Sequence, residues 1–296
     1  MNTPLHILAA TDFSPAADRA VLRAAFIAKQ SGAELTLLHV VSPLALYPGM
    51  DIGPDTDAYD AAGERAAAER LEALARVLRD RYDLSVRTAQ RIGRAHRQIA
   101  DYAASHGADL VVVGARGENS LARLLLGSTA WRLLRVRRGA ILVVRQAPIG
   151  AYRATLAAVD FSRDSRAALA WAARLAADGR LRALHVLPRE DEVRLRAAGL
   201  DGAAIEQRRA EMRAIAENLM ANLLAELPAG ATPRIEHGPP AEAILAAVAE
   251  WGADLIVLGR HGSNELEEWL LGSVSKDVAQ AADCDVLLAG SGEAAP

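Results

Sequence analysis

Short apolar runs alternate with amphipathic stretches along the first half of the chain. The apolar runs have the length of strands, and the stretches between them carry apolar residues at helical spacing. The pattern predicts strands at 5–11, 34–41, 85–90, 110–113 and 140–145, and helices at 14–31, 59–81, 94–106 and 128–137. This order is typical of βαβ units around a parallel sheet with both faces covered.

The second half repeats the pattern of the first. The sequence GADLVVVG at 107–114 returns as GADLIVLG at 252–259, an offset of 145 residues. Asp-Phe-Ser at 12–14 returns at 160–162, and Leu-His-Val at 38–40 returns at 184–186. We therefore predict two tandem, doubly wound α/β domains, 1–147 and 152–291, each with a five-stranded parallel sheet and four helices.

Composition and charge narrow the class of protein. A chain of 296 residues suits two domains, and its net charge of −3 argues against a broad nucleic-acid surface. Cys284 is the single cysteine, so no intrachain disulfide forms and a reducing compartment is favoured. No apolar run approaches the roughly 18–20 residues of a membrane span, and the first residues lack the basic start of an export signal. We expect a cytoplasmic protein without a membrane partner.

A glycine loop follows the fourth strand of each half, with the spacing Gly-x2-Gly-x9-Gly-Ser. Glycines before a helix present main-chain N–H groups and a positive helix end to an anion, and a Cβ would block phosphate oxygens or a positive φ. The serines would cap the helix or give a hydroxyl to the phosphate. Glycines that merely turn the chain are the alternative, and the duplicated spacing favours phosphate binding. The predicted residues are Gly114, Gly117, Gly127 and Ser128, and Gly259, Gly262, Gly272 and Ser273.

Polar residues beside these loops leave two interpretations open. Asp12 and Asp160 end the first strand of each half and would border the crevice if strands one and four are neighbours. They would then read a base edge, or they would serve as helix-start signals. Arg260 and His261 would contact phosphate, or they would be exposed to solvent.

The glycine spacing, the aspartate after strand one and the His-Val of strand two together resemble the universal stress protein family in its tandem form. The resemblance runs from Leu5 to about Ala289. It implies a Rossmann-like, adenine nucleotide α-hydrolase-like fold with strand order 3-2-1-4-5, and an intrachain pseudo-dimer of the two domains. Self-association of two chains stays open. It also implies ATP as ligand, with Mg²⁺ carried on the nucleotide, phosphates on the loops, and adenine near Asp12, Val40 and Val41 and near Asp160, Val186 and Leu187.

The two predicted sites differ in one hydroxyl. ATP-binding relatives often carry a second hydroxyl two residues after the loop serine, which Ser275 supplies and Ala130 does not. Since a hydrogen bond to a charged group contributes about 1.5–3 kcal/mol, we rank the second site above the first. Neither loop contains Gly-Lys-Ser/Thr, and the histidines lack metal-ligand spacing, so no catalytic residue or metal site is predicted. The expected function is an ATP-binding stress-response regulator without strong catalysis. A scaffold without nucleotide and a slow ATPase or self-phosphorylating protein are the alternatives.

Overall fold

The computed structural model describes residues 5–42, 56–115, 126–137, 139–176, 180–188, 196–199, 201–227, 230–262 and 271–290. The chain divides into two compact units, residues 1–151 and 152–295, which we call unit 1 and unit 2. No helix within the described residues is long and apolar enough to cross a membrane. The pseudo-dimer of the two units stays a prediction.

Unit 1 has five strands and four helices in its described part, as the hydrophobic pattern predicts. The elements are β1 (His6–Thr11), α1 (Pro15–Ser31), β2 (Glu34–Val41), α2 (Thr56–Tyr82), β3 (Val86–Ile92), α3 (Ala95–Ser105), β4 (Leu110–Gly114), α4 (Ser128–Val136) and β5 (Ala140–Val144). The strands lie in the order β3-β2-β1-β4-β5 and pair in parallel. The strand order implied by the resemblance is therefore confirmed, with β1 and β4 as neighbours.

Unit 2 repeats this topology within its described residues. Its elements are β6 (Thr155–Ala158), α5 (Arg163–Leu175), β7 (Leu181–Leu187), α6 (Gly202–Ala225), β8 (Thr232–His237), α7 (Pro240–Trp251), β9 (Leu255–Gly259), α8 (Ser273–Ala281) and β10 (Asp285–Ala289). The order β8-β7-β6-β9-β10 is again 3-2-1-4-5, and every pair is parallel. In both units the carboxyl ends of the first and fourth strands lie side by side, where ligands bind in such sheets.

The first helix of each unit lies close to its sheet. The buried face of α1 is built largely of alanine, at positions 16, 17, 20, 24, 25 and 28. Alanine side chains fill little space, so the helix backbone approaches the strands closely. In α5 the buried alanines 167, 168 and 172 do the same. The start of each helix is thereby brought against the end of the fourth strand.

A buried polar pair joins the start of β10 to the segment that precedes β6. The Tyr152 hydroxyl donates a hydrogen bond of 2.7 Å to Oδ2 of Asp285. Tyr152 is 1% exposed and Asp285 is 0% exposed. A carboxylate so deeply buried is tolerated only with hydrogen-bond donors around it. The pair therefore helps to hold β10 to the segment that precedes β6.

Candidate functional site

The strand-one aspartates shape the turn that leads into the first helix. Oδ1 of Asp12 accepts the amide of Ser14, and Oδ1 of Asp160 accepts the amide of Ser162, both at 3.0 Å. The serines are the N-cap residues, and each accepts a first-turn amide of its helix at 3.2 Å. The helix cap is therefore the serine, and the aspartate lies two residues earlier, at the end of the first strand.

A phenylalanine follows each of these aspartates in a left-handed backbone conformation. The φ angles are 62° at Phe13 and 64° at Phe161. Such angles are uncommon for bulky residues and point to a constrained turn. The Phe13 ring stacks on His39 with centroids 4.6 Å apart, and Phe161 lies 4.4 Å from His185. These pairs were not predicted, although the repeated Asp-Phe-Ser and Leu-His-Val segments contain both partners.

His185 ties β7 to the end of β6, and its burial has a consequence for pH. Its Nδ1–H donates to the carbonyl of Val159 at 2.8 Å. Burial lowers the pKa of His185 below its usual 6.5, outweighing the opposing effects of the Val159 carbonyl and the Asp160 carboxylate. The unfolded chain therefore binds this proton more readily than the folded one, so stability falls as the pH drops through about 6.5.

We accordingly expect the free energy of unfolding of unit 2 to fall more steeply from pH 7.5 to pH 5.5 in the natural chain than in His185→Gln. Urea unfolding at a series of pH values measures both slopes. The variant also loses the hydrogen bond to Val159, which shifts its stability at all pH values and leaves the slope comparison intact. Equal slopes would contradict the buried, neutral state of this imidazole.

The glycine that ends the fourth strand is required by packing. A Cβ on Gly114 would lie 2.8 Å from the carbonyl carbon and oxygen of Ala16. On Gly259 it would lie 3.0 Å from Asp164 and from the amide of Ser165. Neither glycine has a positive φ. A left-handed turn is therefore excluded as the reason for these two glycines, and the close approach of the first helix requires them. Their contact with phosphate stays a prediction.

A main-chain hydrogen bond closes each glycine loop at its base. The amide of Gly127 donates to the carbonyl of Ala115 at 2.7 Å, and that of Gly272 donates to the carbonyl of Arg260 at 2.8 Å. These two glycine amides are therefore used within the loop and do not point to a ligand. The two ends of each loop stay together whatever lies between them.

The helix after each loop begins on serine and is capped by glycine. Gly127 and Gly272 occupy the N-cap positions, and Ser128 and Ser273 are the first helical residues. The expectation that the serines are N-caps is wrong, because the loop-closing bond fixes the glycine at the helix entry. The first-turn amides, at 128–130 and 273–275, lie outside the intrahelical ladder and form the positive end of the helix.

Ser275 binds the main chain in this structure. Its hydroxyl is buried and donates to the carbonyl of Gly259 at 2.6 Å. An ionised phosphate offers only acceptors, so a hydroxyl whose proton is used elsewhere gives it no hydrogen bond. Ser275 therefore joins α8 to β9, and Ala130 is the buried counterpart in unit 1.

Unit 2 brings three predicted residues together with one that was not predicted. Oδ2 of Asp164 accepts both the amide and the ring Nδ1–H of His261, at 3.2 and 2.8 Å. A Cβ on Gly262 would lie 3.2 Å from Oδ2 of Asp160, which places the loop beside the strand-one carboxylate. Arg260 is only 3% exposed, so the interpretation as an exposed side chain is excluded for it.

The ends of the second strands offer main-chain groups to the same crevice. The carbonyls of Val41 and Leu187 accept amides that follow β3 and β8, at 2.9 and 3.1 Å. Neighbouring residues of a strand direct their main-chain groups to opposite sides. Val40 and Val186 therefore face the first strand, beyond its last paired residue. The carbonyls of these two residues would offer hydrogen-bond acceptors to a flat heteroaromatic edge.

Unit 1 differs from unit 2 in the side chain that covers the phenylalanine after the first strand. The guanidinium carbon of Arg70 lies 4.4 Å from the centroid of Phe13, and its Nη2 donates to the Phe13 carbonyl at 3.4 Å. The buried residues of α2 and α6 correspond at an offset of 145, namely Leu71, Ala75 and Leu78 with Ala216, Met220 and Leu223. The same offset places exposed Ile215 where unit 1 has Arg70.

Gly117, predicted to bind phosphate, lies outside the described residues.

The described residues contain no cluster of three histidine, cysteine or acidic side chains arranged to hold a metal ion.

Comparisons with known proteins agree with this architecture. The model of the "Universal stress protein family" matches residues 5–145 and 151–290. A universal stress protein of Mycolicibacterium smegmatis is 31% identical over 296 residues, covering 97% of each chain. The crystal structure of a universal stress protein from Archaeoglobus fulgidus matches 97% of this chain and 98% of its own, with 22% identity and a TM-score of 0.71, which shows a shared fold. A universal stress protein solved in complex with cAMP matches 49% of this chain and 98% of its own, with 26% identity and a TM-score of 0.36.

Proposed function

Because this chain belongs to the universal stress protein family, with one family domain in each unit, we propose that it is a stress-response protein that binds ATP and does so most tightly in unit 2. One observation carries the proposal. The loop glycine Gly262, the strand-one carboxylate of Asp160 and the pair Asp164–His261 all meet at the carboxyl ends of β6 and β9.

The phosphates would bind at the start of α8. Its first-turn amides and helix dipole favour an anion, and the N-cap glycine carries no side chain that would occupy them. Gly262 keeps open the space between the loop and Asp160. The corresponding groups of unit 1 are the first turn of α4 with Gly127 at its N-cap.

The adenine ring would lie at the ends of the first two strands. Main-chain groups of Val186 face that side, and the carboxylate of Asp160 borders it. In unit 1 the corresponding residues are Val40 and Asp12, and the Arg70 guanidinium covers the adjacent Phe13 ring. We infer that this side chain leaves less room for a ring in unit 1, which supports ranking unit 2 first.

The role is one of binding and regulation. Neither loop carries the Gly-Lys-Ser/Thr with which P-loop enzymes hold the transferred phosphate. Ser275 is not set up as a nucleophile in this arrangement, since its hydroxyl donates to a main-chain carbonyl. ATP would act by stabilising one form of the protein, which a partner then recognises.

The test is equilibrium dialysis of radiolabelled ATP against the natural chain and Gly262→Val. Valine places branched carbon atoms where a Cβ already lies 3.2 Å from Oδ2 of Asp160. We expect binding at unit 2 to weaken at least about tenfold, equivalent to about 1.4 kcal/mol. ADP, AMP and cAMP, titrated in the same way, identify the preferred adenine nucleotide.

The matched control is Gly230→Val. Gly230 is exposed, and a Cβ there meets no atom within 4 Å. We expect it to bind ATP as the natural chain does. Equal affinity of Gly262→Val and the natural chain would refute the assigned site, and absence of ATP binding by the natural chain would favour the scaffold alternative.

A further inference from the structure

The pair Asp164–His261 exists in unit 2 alone. Aligning the repeated Asp-Phe-Ser segments places Ala16 opposite Asp164, and aligning the glycine loops places Arg116 opposite His261. Both members of the pair therefore differ between the units. A permanently charged guanidinium in one loop has been exchanged for an imidazole with a carboxylate partner in the other.

Asp164 holds His261 from two directions. It accepts the main-chain amide at 3.2 Å and the ring Nδ1–H at 2.8 Å, while Oγ of Ser162 donates to the His261 carbonyl at 3.5 Å. The Asp164 side chain is 8% exposed and lies in the first turn of α5. Since a carboxylate only accepts, Nδ1 carries a proton and the other ring nitrogen is set in a fixed direction.

That other nitrogen, Nε2 of His261, is buried and has no hydrogen-bond partner among the described residues. With Nδ1 protonated, the neutral ring presents a lone pair at Nε2. A phosphate oxygen presents lone pairs as well, so the two attract only when Nε2 also carries a proton. A hydrogen bond from Nε2 of His261 to a phosphate therefore requires a proton on both ring nitrogens.

The charged groups around the imidazole favour that extra proton once an anion is present. Asp164 on α5 contacts the ring directly, and Asp160 at the end of β6 lies beside the next residue, Gly262. Among the described residues, the cation that directly precedes His261 along the chain is the buried Arg260. The negative charge of the two carboxylates and a bound phosphate exceeds the positive charge of the one guanidinium. The net charge around the imidazole therefore favours its protonated form when phosphate is bound.

We propose that His261 takes up a proton from solvent when a nucleotide binds to unit 2 and donates Nε2–H to a phosphate oxygen, with Asp164 as the positioning residue. The inference rests on the proposed function. No covalent bond changes, and the proton returns to solvent when the nucleotide leaves. The unit 1 loop, with Arg116 and Ala16 at these positions, would bind without proton uptake.

The experiment is isothermal titration calorimetry of the full chain with ATP at one pH in several buffers of different ionisation enthalpy. The dependence of the binding enthalpy on buffer enthalpy gives the number of protons taken up. We expect uptake by the natural chain to exceed that of His261→Gln, and affinity at unit 2 to fall about tenfold in the variant. His106→Gln removes an exposed imidazole of unit 1 and is expected to leave both quantities unchanged.

The variant Asp164→Asn tests whether the charge of Asp164 acts on His261 or whether Asp164 only supports the local structure. Its amide oxygen still accepts Nδ1–H but carries no charge, so we expect reduced proton uptake with His261 in place, and a larger loss in Asp164→Ala. Proton uptake that is the same in the natural chain, His261→Gln and Asp164→Asn, with ATP still bound, would overturn this inference and leave the proposed function standing. Absence of ATP binding by the natural chain would contradict both.

Discussion

Replacing Gly114 with valine is expected to destabilise unit 1 by at least about 3 kcal/mol, at the upper end of the usual effect of overpacking. A Cβ at this position lies 2.8 Å from two main-chain atoms of Ala16, closer than carbon atoms approach without displacement. The neighbouring atoms belong to the α1 backbone, which cannot rotate away as a side chain would. The helix must therefore move off the sheet and lose the packing of its alanine face.

Hydrogen exchange followed by mass spectrometry measures this effect in the full chain. Because a chain of two units need not unfold in one step, peptides from α1 and β4 report on unit 1 and peptides from α5 and β9 report on unit 2. We expect protection to fall in the first pair and to persist in the second. Gly230→Val is the control, and unchanged protection of α1 in Gly114→Val would show that the helix is not seated as described.

Tyr152→Phe is expected to lower the free energy of unfolding of unit 2 by about 2–3 kcal/mol, since the lost hydrogen bond joins a hydroxyl to a buried carboxylate. The ring keeps its shape, so packing changes little. Oδ2 of Asp285 then loses its 2.7 Å donor while it remains fully buried. Urea unfolding, with exchange at β10 as the local probe, measures the loss.

A double-mutant cycle isolates the pair. Tyr152→Phe, Asp285→Asn and the double variant together give the coupling energy between the two side chains. The control is Tyr102→Phe in unit 1, where the ring stacks on His106 with centroids 3.8 Å apart, and it is expected to change stability by well under 1 kcal/mol. Additive effects of the two unit 2 substitutions would show that Asp285 does not depend on the tyrosine.

The element order and strand order follow from features that a sequence displays directly. Apolar runs and helical periodicity mark the strands and helices, and the repeat doubles the evidence for each. Boundaries shift by one to three residues, as in β3, which ends at Ile92 two residues after the predicted end, and α2, which begins at Thr56 three residues before the predicted start. The order of strands and helices can be predicted because it depends on the spacing of apolar residues within short segments, which the sequence shows directly.

The roles of individual loop residues could not be predicted, because tertiary contacts decide them. Spacing located the glycine loop, but the need for Gly114 comes from α1, almost 100 residues away along the chain. The Gly-Ser step did not reveal which residue caps α4, since that depends on the bond from Gly127 to Ala115. The contact between Asp164 and His261 was missed for the same reason. Comparing the two halves would have found it, because both positions differ together.

The main-chain hydrogen bond at the base of each glycine loop makes the fold tolerant of sequence changes in the loop residues between its two ends. Residues 115 and 127, and 260 and 272, stay together through their own hydrogen bonds. Doubling the length of a loop whose ends are fixed costs only about 0.6 kcal/mol of closure entropy. Insertions, deletions and exchanges in the loop therefore leave the sheet undisturbed. Each half of the duplicated chain can therefore change the residues of its loop without moving the strand and helix that the loop connects.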